Sequence, residues 1–199
     1  MKFLLVTQDM MWYHLIKSNT KEVCPMNLIP SFSVDHTKIV PGIFESRVDI
    51  LGDEFVTTFD VRVKKPNAEP SIDPAAMHTM EHIVATYLRN HDEWKDKLIY
   101  WGPMGCLTGF YIIVKGRPAA SEMYPIILEA FKYMSAYEGE VPGATAENCG
   151  KYLMHDLPMA KWEARRYVEY LTNADKNVIF EYPQTERLTL EGGQEFFDS

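Results

Sequence analysis

The chain has 199 residues, of which 46% are hydrophobic and 13% aromatic, which is enough for one domain with a core and short for two. Its formal net charge is −8, and its lysines and arginines are scattered along the sequence, which excludes the basic surface that nucleic-acid binding requires. We therefore expect one compact domain that does not bind nucleic acid.

Cysteine usage and the first residues indicate where the protein works. Cys24, Cys106 and Cys149 are odd in number and widely spaced, as expected of free thiols in a reducing compartment rather than of a disulfide framework. The apolar run at residues 3–6 is too short for a secretory signal, and no other stretch is long enough to span a bilayer. We expect a cytoplasmic protein without membrane contact.

The predicted domain begins after an N-terminal extension. Residues 1–28 mix apolar and polar side chains without a clean period. From residue 55 to residue 63 the two kinds alternate with a period of two, which predicts a half-buried strand. Residues 43–51 are predicted to form its partner, with Gly52 and Asp53 in the turn, so that an antiparallel hairpin results.

A helix and two further strands are predicted next. Asp73 is suited to cap a helix that has Pro74 at its first position, and apolar residues recur at helical spacing to about His91. Residues 98–101 and 107–114 are predicted to form strands on either side of a glycine-rich break. These elements extend the sheet that the hairpin begins.

Two more helices complete the prediction. Ser121 is predicted to cap a helix that ends near Tyr137, and a last helix is predicted over residues 158–171. Residues 173–199 are acidic and are expected to add little to the core. Strands that alternate with helices after an early hairpin predict an α+β domain, in which an antiparallel sheet packs against helices.

The strongest chemical signal is the pentapeptide His78-Thr79-Met80-Glu81-His82 in the first helix. Both histidines lie on one face, one turn apart, and Glu81 is displaced from them by less than a third of a turn. Two imidazoles at this spacing bind a transition metal, and the adjacent carboxylate remains free to carry protons. The same pattern marks the inverted zinc peptidases, and it also occurs as a pair of partly exposed histidines without metal, so the pattern alone leaves the reaction open.

The identity of a third ligand would distinguish an inverted zinc peptidase from another metal enzyme and from a histidine pair without metal. Cys149 is the favoured candidate, because the glycine after it allows close backbone approach and an N,N,S ligand set with an open position suits catalytic Zn²⁺ or Fe²⁺. A carboxylate ligand, as in the peptidases, would have to come from Glu138, Glu140 or Glu147. His155 is a second candidate ligand, although a supporting or core position is the commoner role for such a histidine.

Cys106 is the other candidate for chemistry. It ends a rigid, glycine-rich turn, and the ordinary reading of a free cysteine is a small buried apolar residue. Arg62 projects from the polar side of the predicted hairpin strand, and a guanidinium near a thiol favours the thiolate. The pair would form a general base near neutral pH if the fold brings them together, which the sequence leaves open.

Several motifs, in this order and spacing, resemble the S-ribosylhomocysteine lyase (LuxS) family. They are Ser31-Phe32-Ser33-Val34-Asp35-His36, Phe59-Asp60-Val61-Arg62, Pro66-Asn67, His78-Thr79-Met80-Glu81-His82, Arg89-Asn90-His91, Pro103-Met104-Gly105-Cys106-Leu107-Thr108-Gly109 and Cys149-Gly150. The resemblance implies a lyase domain over residues 29–172, related in fold to the inverted zinc peptidases, with residues 1–28 and the acidic tail 173–199 outside it.

The resemblance also implies an activity. Members cleave S-ribosylhomocysteine to homocysteine and 4,5-dihydroxy-2,3-pentanedione, the precursor of an autoinducer in bacterial quorum sensing, by carbonyl migration and β-elimination. By similarity, His78, His82 and Cys149 would bind Fe²⁺, for which Zn²⁺ or Co²⁺ can substitute, without an organic cofactor. Glu81 and Cys106 would be the two catalytic acid/base groups.

The remaining implied site residues concern substrate binding. By similarity, Arg62 would support the thiol and Arg89 would contact substrate. Ser31 and His36 would reach into the site of a second subunit, because the family is homodimeric with active sites at the interface. Many members have an acidic residue and a serine where this chain has Tyr100-Trp101-Gly102, so the contacts to the homocysteine end are expected to differ.

Two alternatives are kept beside the lyase. A small zinc hydrolase with the inverted His-x-x-Glu-His motif would use the same two histidines, but it would need only one base and no thiol at Cys106. A metal-binding module without catalytic activity would not need the intact set of acid/base candidates. The ligand set and the position of Cys106 therefore discriminate between the three functions.

Overall fold

The computed structural model of the protein describes residues 34–183. Within that range the strands are β1 (Gly42–Leu51), β2 (Glu54–Arg62), β3 (Leu98–Pro103) and β4 (Gly109–Lys115). They form a four-stranded antiparallel sheet in the order β1-β2-β4-β3. The predicted antiparallel sheet is therefore confirmed.

The two hairpins of the sheet differ in how they turn. The β1–β2 hairpin turns through Gly52 and Asp53, as predicted, and Gly52 adopts the left-handed conformation that a glycine tolerates best (φ +64°). The β3–β4 hairpin has a longer loop that contains Cys106. Leu107 in this loop also has a positive φ, +57°, and β4 begins only at Gly109 rather than at residue 107, because a left-handed residue cannot continue a strand.

Helices cover the apolar side of the sheet; they are α1 (Pro74–Asn90), α2 (Ala120–Ala136) and α3 (Leu157–Asn173). The predicted cap of α1 is confirmed, since the Asp73 carboxylate accepts a hydrogen bond from the backbone N–H of Ala75 at 2.8 Å. Asp156 caps α3 in the same way through the N–H of Met159, at 2.9 Å. Local capping signals therefore begin both helices.

The predicted cap of α2 is wrong. The helix begins at Ala120, so that Ser121 lies inside its first turn rather than at the cap. The Glu122 carboxylate accepts a hydrogen bond from the backbone N–H of Ala119, at 2.7 Å, and thereby fills the role of the missing cap side chain. The end of the helix at Ala136 agrees with the prediction.

One hydrophobic core lies between the sheet and the helices. Its fully buried members include Phe59, Val61, Met80, Phe110 and Phe131. From Val56 to Phe59 the strand follows the predicted alternation of partly exposed and buried side chains, whereas Phe55, predicted for the buried side, is exposed. The second half does not, because its polar side is buried as well: Asp60 and Arg62 are only 1–3% exposed and pair with each other.

The segment after α3 returns to the sheet. Ile179 is fully buried in the core, and its carbonyl accepts a hydrogen bond from the backbone N–H of Ile43 at 2.7 Å. The expectation that the tail adds little to the core is therefore wrong for this part of it. Among residues 34–183, no helix combines the length and apolar character needed to cross a membrane.

Candidate active site

Four side chains converge at the N-terminal half of α1. His78 and His82 lie one turn apart on this helix, while Cys149 and His155 come from the connection between α2 and α3. One donor atom of each lies within 4.8 Å of those of the others. Cys149 Sγ is 3.4 Å from His78 Nε2, and the rings of His78 and His155 stack with centroids 4.2 Å apart. The structure thus brings the predicted third ligand and the second candidate to the histidine pair.

Backbone carbonyls select the tautomers of the two helix histidines. The Nδ1 atom of His78 lies 2.8 Å from the carbonyl oxygen of Met154, and that of His82 lies 2.7 Å from the carbonyl oxygen of Pro142. Because a carbonyl only accepts hydrogen bonds, Nδ1 carries the proton in both rings. The Nε2 lone pairs are therefore free to bind a metal.

His155 adopts the same tautomer through a side chain. The Thr79 hydroxyl donates to the Ala75 carbonyl at 2.8 Å, so it can only accept from His155 Nδ1, at 3.2 Å, and from the N–H of Asp156, at 2.9 Å. The Nε2 atom of His155 is buried and has no hydrogen-bond partner among residues 34–183. Burial, reinforced by the two imidazoles of α1, lowers the pKa of His155 and keeps it neutral.

This cluster fits a transition metal. Neutral imidazoles and a thiol that can ionise are the ligands that Zn²⁺ and Fe²⁺ accept, and tetrahedral bonds of about 2.0–2.3 Å separate neighbouring donor atoms by about 3.5 Å. The Sγ of Cys149 and Nε2 of His78 are 3.4 Å apart, and the four donor atoms all lie within 4.8 Å of one another. A metal would also give the orphaned Nε2 of His155 a partner. The cluster contains no carboxylate among the residues that the structure describes, so Glu138, Glu140 and Glu147 are not in it.

Glu81 accompanies the cluster without belonging to it. The residue is half-buried on α1, directly before His82 and one turn from His78. Its carboxylate is absent from the group of donor atoms that surrounds the candidate metal position. A carboxylate beside a metal site and not bound to it is available for proton transfer.

A second group of reactive side chains lies at the end of the sheet. Arg62, the last residue of β2, places Nη1 at 3.9 Å from the Sγ of Cys106, and the Thr108 hydroxyl bridges the two at 2.6 Å and 3.0 Å respectively. Cys106 is exposed in its loop. The encounter between Arg62 and Cys106, which the sequence left open, therefore occurs in the fold.

The guanidinium of Arg62 is itself held in place. It pairs with Asp60, on the same face of β2, and both side chains are nearly inaccessible to solvent. The Tyr182 hydroxyl, from the segment after α3, donates to the same carboxylate at 3.0 Å. Sequence reasoning missed both partners. The period of two links Asp60 to Arg62 and could have identified the first, whereas no local signal points to the second.

The predicted substrate-binding residues fall in different places. His36 lies half-buried before β1, with Nδ1 2.8 Å from the Val34 carbonyl oxygen. Ser31 lies outside the described residues. Arg89 is exposed near the end of α1, seven residues or about 10 Å beyond His82, where it donates to the Ile99 carbonyl at 3.2 Å. In this chain the Arg89 side chain therefore contacts the backbone of β3.

The comparisons of this chain with a family model and with known proteins agree with one another. A family model described as S-ribosylhomocysteinase (LuxS) matches residues 29–178. An S-ribosylhomocysteine lyase of Phocaeicola vulgatus is 51% identical over 162 residues, which cover 81% of this chain and all of that protein. The S-ribosylhomocysteine lyases of Porphyromonas gingivalis and Clostridium beijerinckii are 46% and 44% identical, over 79% and 78% of this chain and 99% of each relative.

Proposed function

The chain belongs to the S-ribosylhomocysteinase (LuxS) family, and from that premise we propose how it acts on S-ribosylhomocysteine. It is a carbon–sulfur lyase that releases homocysteine, and the other product would be 4,5-dihydroxy-2,3-pentanedione, the autoinducer precursor. The observation that carries the proposal is the presence of two chemical groups in one fold: a cluster of imidazoles and a thiol that suits a metal, and a separate thiol beside a buried arginine.

His78, His82 and Cys149 would hold the metal, which we propose to be Fe²⁺, with Zn²⁺ or Co²⁺ able to substitute, because imidazole and thiolate suit all three ions. When bound, the metal supplies a Lewis acid that stabilises negative charge developing on substrate oxygens. The carbonyls that accept from the two Nδ1–H groups keep both imidazoles oriented. His155 lies beside these ligands as a fourth donor with a free Nε2.

The reaction needs two proton carriers. The thioether carbon of the open-chain sugar becomes a β-position only after the aldehyde has moved, in two steps, to a ketone at C3. Each step removes a proton from one carbon and returns a proton to its neighbour, and loss of the C4 proton then expels homocysteine thiolate from C5. We assign these transfers to Glu81 and Cys106, since a carboxylate and a thiolate from different elements can address different faces of a planar intermediate.

Arg62 would make Cys106 competent for this role. A guanidinium 3.9 Å from a thiol stabilises the thiolate, which is the basic and reactive form. Because the Asp60 carboxylate and the Thr108 hydroxyl hold the guanidinium from two sides, its charge stays beside the sulfur. A zinc hydrolase with the inverted motif has no use for this arrangement, and the cluster offers no carboxylate ligand of the kind such an enzyme uses.

We also propose a homodimer with active sites at the interface, in which Ser31 and His36 of one subunit complete the site of the other. Large apolar side chains that are exposed in the connection between α2 and α3 and on α3 support it, because contact with a second subunit would remove them from water. They are Leu153, Met154, Met159 and Trp162. Free thiols at Cys106 and Cys149 support a cytoplasmic, reducing location.

The test is direct. Protein loaded anaerobically with Fe²⁺ is incubated with S-ribosylhomocysteine, and homocysteine release is followed by thiol titration and mass spectrometry. Glu81→Gln and Cys106→Ser are each expected to lower turnover by at least about 10²-fold while they retain the metal, because general acid/base groups contribute 10² to 10⁴-fold. No homocysteine from metal-loaded protein, or near-full turnover by Cys106→Ser, would refute the proposal.

A further inference from the structure

The segment after α3 reaches the Cys106 group from outside the range that the family model matches, which ends at residue 178. Ile179 anchors this segment in the core through its buried side chain and its bond to Ile43. The ring of Tyr182 then stacks on Phe44 of β1, with centroids 4.8 Å apart and planes inclined by 15°. The position of the Tyr182 hydroxyl is thus fixed from both backbone and ring.

That hydroxyl begins a line of contacts that ends at the thiol. It donates to Oδ2 of Asp60 at 3.0 Å. Asp60 in turn receives Nε and Nη2 of Arg62, a two-point contact that fixes the plane of the guanidinium. The remaining nitrogen of Arg62, Nη1, is the one that contacts Thr108 and Cys106.

The Tyr182 hydroxyl is the third hydrogen-bond donor to Asp60, after two nitrogens of Arg62, and the charge of this buried carboxylate explains why it matters. Burial raises the pKa of Asp60 against the opposing effects of Arg62 and the Tyr182 hydroxyl, so each donor helps to keep this carboxylate ionised. Burial and the carboxylate raise the pKa of Tyr182, and the phenol therefore stays protonated, as a donor, wherever a thiol titrates. Among the residues described, Arg62 would be the one donor left to Asp60 without this hydroxyl, so the buried carboxylate would compete more strongly with Cys106 for the positive charge.

We propose that Tyr182 is a positioning residue for the Cys106 thiol and acts on it through Asp60 and Arg62. The functional meaning of this inference rests on the catalytic role proposed for Cys106. The contacts from which it is argued do not depend on that role. The titratable or charged groups around this line are His36 before β1, Asp60 and Arg62 of β2, Cys106 of the β3–β4 loop, Tyr111 of β4, Tyr167 of α3 and Tyr182 itself.

The experiment compares Tyr182→Phe with the wild type. This change keeps the ring that stacks on Phe44 and removes only the hydroxyl. The rate of Cys106 alkylation by iodoacetamide is measured against pH in the full-length, metal-loaded protein, with modified peptides resolved by mass spectrometry. We expect the midpoint of the titration to move to higher pH and alkylation at pH 7 to slow by about threefold or more, in the direction of Arg62→Ala but by less.

Tyr124→Phe is the matched control. Its hydroxyl contacts the Leu171 carbonyl at 3.1 Å and its ring packs edge-on against Phe180 of the same segment, but it takes no part in the line to Cys106. Its titration should coincide with that of the wild type. If Tyr124→Phe shifted the midpoint of the thiol titration equally, the cause would be loosening of the whole segment, and the proposal would be overturned.

A double-mutant cycle tests the route. If Tyr182 acts through Asp60, then adding Tyr182→Phe to Asp60→Asn should cause no further change in alkylation, whereas an undiminished effect would overturn the proposal. An unshifted thiol in Tyr182→Phe, beside a clear shift in Arg62→Ala, would overturn it as well. Thiol titration needs no substrate, so failure of this inference is distinguishable from absence of lyase activity. In an active enzyme, Tyr182→Phe should lower kcat with KM nearly unchanged.

Discussion

The imidazoles of His78 and His82 are oriented for metal binding by the fold itself. Each donates its Nδ1 proton to a carbonyl of the α2–α3 connection, the same segment that carries Cys149. The helix and the connection that carry the candidate ligands are therefore held together by the bonds that also select the tautomer. A ligand that is already oriented has less rotamer freedom to lose when it binds, which favours affinity.

Cys149, the proposed thiol ligand, is the residue on which the metal assignment depends most. Cys149→Ala is expected to remove tightly bound metal and activity together, because it leaves two imidazoles of the proposed set of three ligands. Metal content after gel filtration and competition with a chelator measure the loss. Cobalt-substituted wild type should also show a thiolate-to-metal charge-transfer band that Cys149→Ala lacks.

Glu147→Ala is the matched control for that prediction, since Glu147 is an exposed carboxylate on the same stretch and lies outside the cluster. It should retain the metal. His155→Ala should weaken metal binding by about 10 to 100-fold, as loss of a group that supports a metal site does. Metal retained by Cys149→Ala and lost by Glu147→Ala would instead indicate a peptidase-like ligand set.

The sequence was more informative about some of these residues than about others. The spacing of His78 and His82 predicts their shared face because helix geometry is local, and a cysteine before glycine is an unusual enough ligand candidate to stand out. Nothing local distinguishes His155 from a supporting histidine. Its place in the cluster depends on Thr79 of α1, whose hydroxyl accepts hydrogen bonds from the His155 ring and from the backbone N–H of Asp156.

At the scale of helices and strands, the sequence predicted correctly those features whose physical cause lies within a few residues of the chain. Asp73 and the proline after it predict the start of α1, since capping involves only the first turn. The burial of the polar side of β2 could not be predicted in this way. Tyr182, whose hydroxyl contacts Asp60, and Glu163 of α3, which pairs with Lys64 just after the strand, are far away in sequence, and only the folded chain brings them there.

The ion pair between Lys64 and Glu163 connects the segment just after β2 to α3. Its atoms are 2.6 Å apart, and its side chains are 4% and 5% exposed. Glu163→Gln is expected to lower the free energy of unfolding by about 3–5 kcal/mol, because it leaves an uncompensated buried ammonium group. Urea denaturation of the metal-free protein, at one fixed protein concentration, measures the change without a contribution from metal binding.

An exposed pair on the same sheet provides the control. Arg47 and Asp49 of β1 are 2.8 Å apart, but their side chains are 61% and 39% exposed. Asp49→Asn should therefore change stability by less than about 1 kcal/mol, because solvent screens a surface pair. Equal effects of the two substitutions would show that burial does not determine the value of the Lys64–Glu163 contact.

At the scale of the whole molecule, the chemistry is divided between two places. The metal cluster and Glu81 belong to α1 and the connection after α2, whereas Arg62, Cys106 and His36 belong to the end of the sheet and the segment before it. In a two-fold dimer, any contact of one subunit with its partner is repeated in the opposite sense. A dimer that brings His36 of each subunit to the metal cluster of the other would therefore complete two equivalent sites.

This arrangement makes complementation the decisive test of assembly. His36→Ala and Glu81→Ala should each be inactive alone, but in a mixed dimer one of the two sites carries neither substitution. Random exchange of equal amounts should therefore restore roughly a quarter of wild-type activity, because half of the dimers are mixed and each has one intact site. Activity is measured after subunit exchange has been demonstrated with differently tagged subunits.

A mixture of Glu81→Ala with Cys149→Ala is the control and should stay inactive, since we assign both residues to the same half of the site. Mixed dimers of the first pair that form but remain inactive would show that each subunit contains its own complete site.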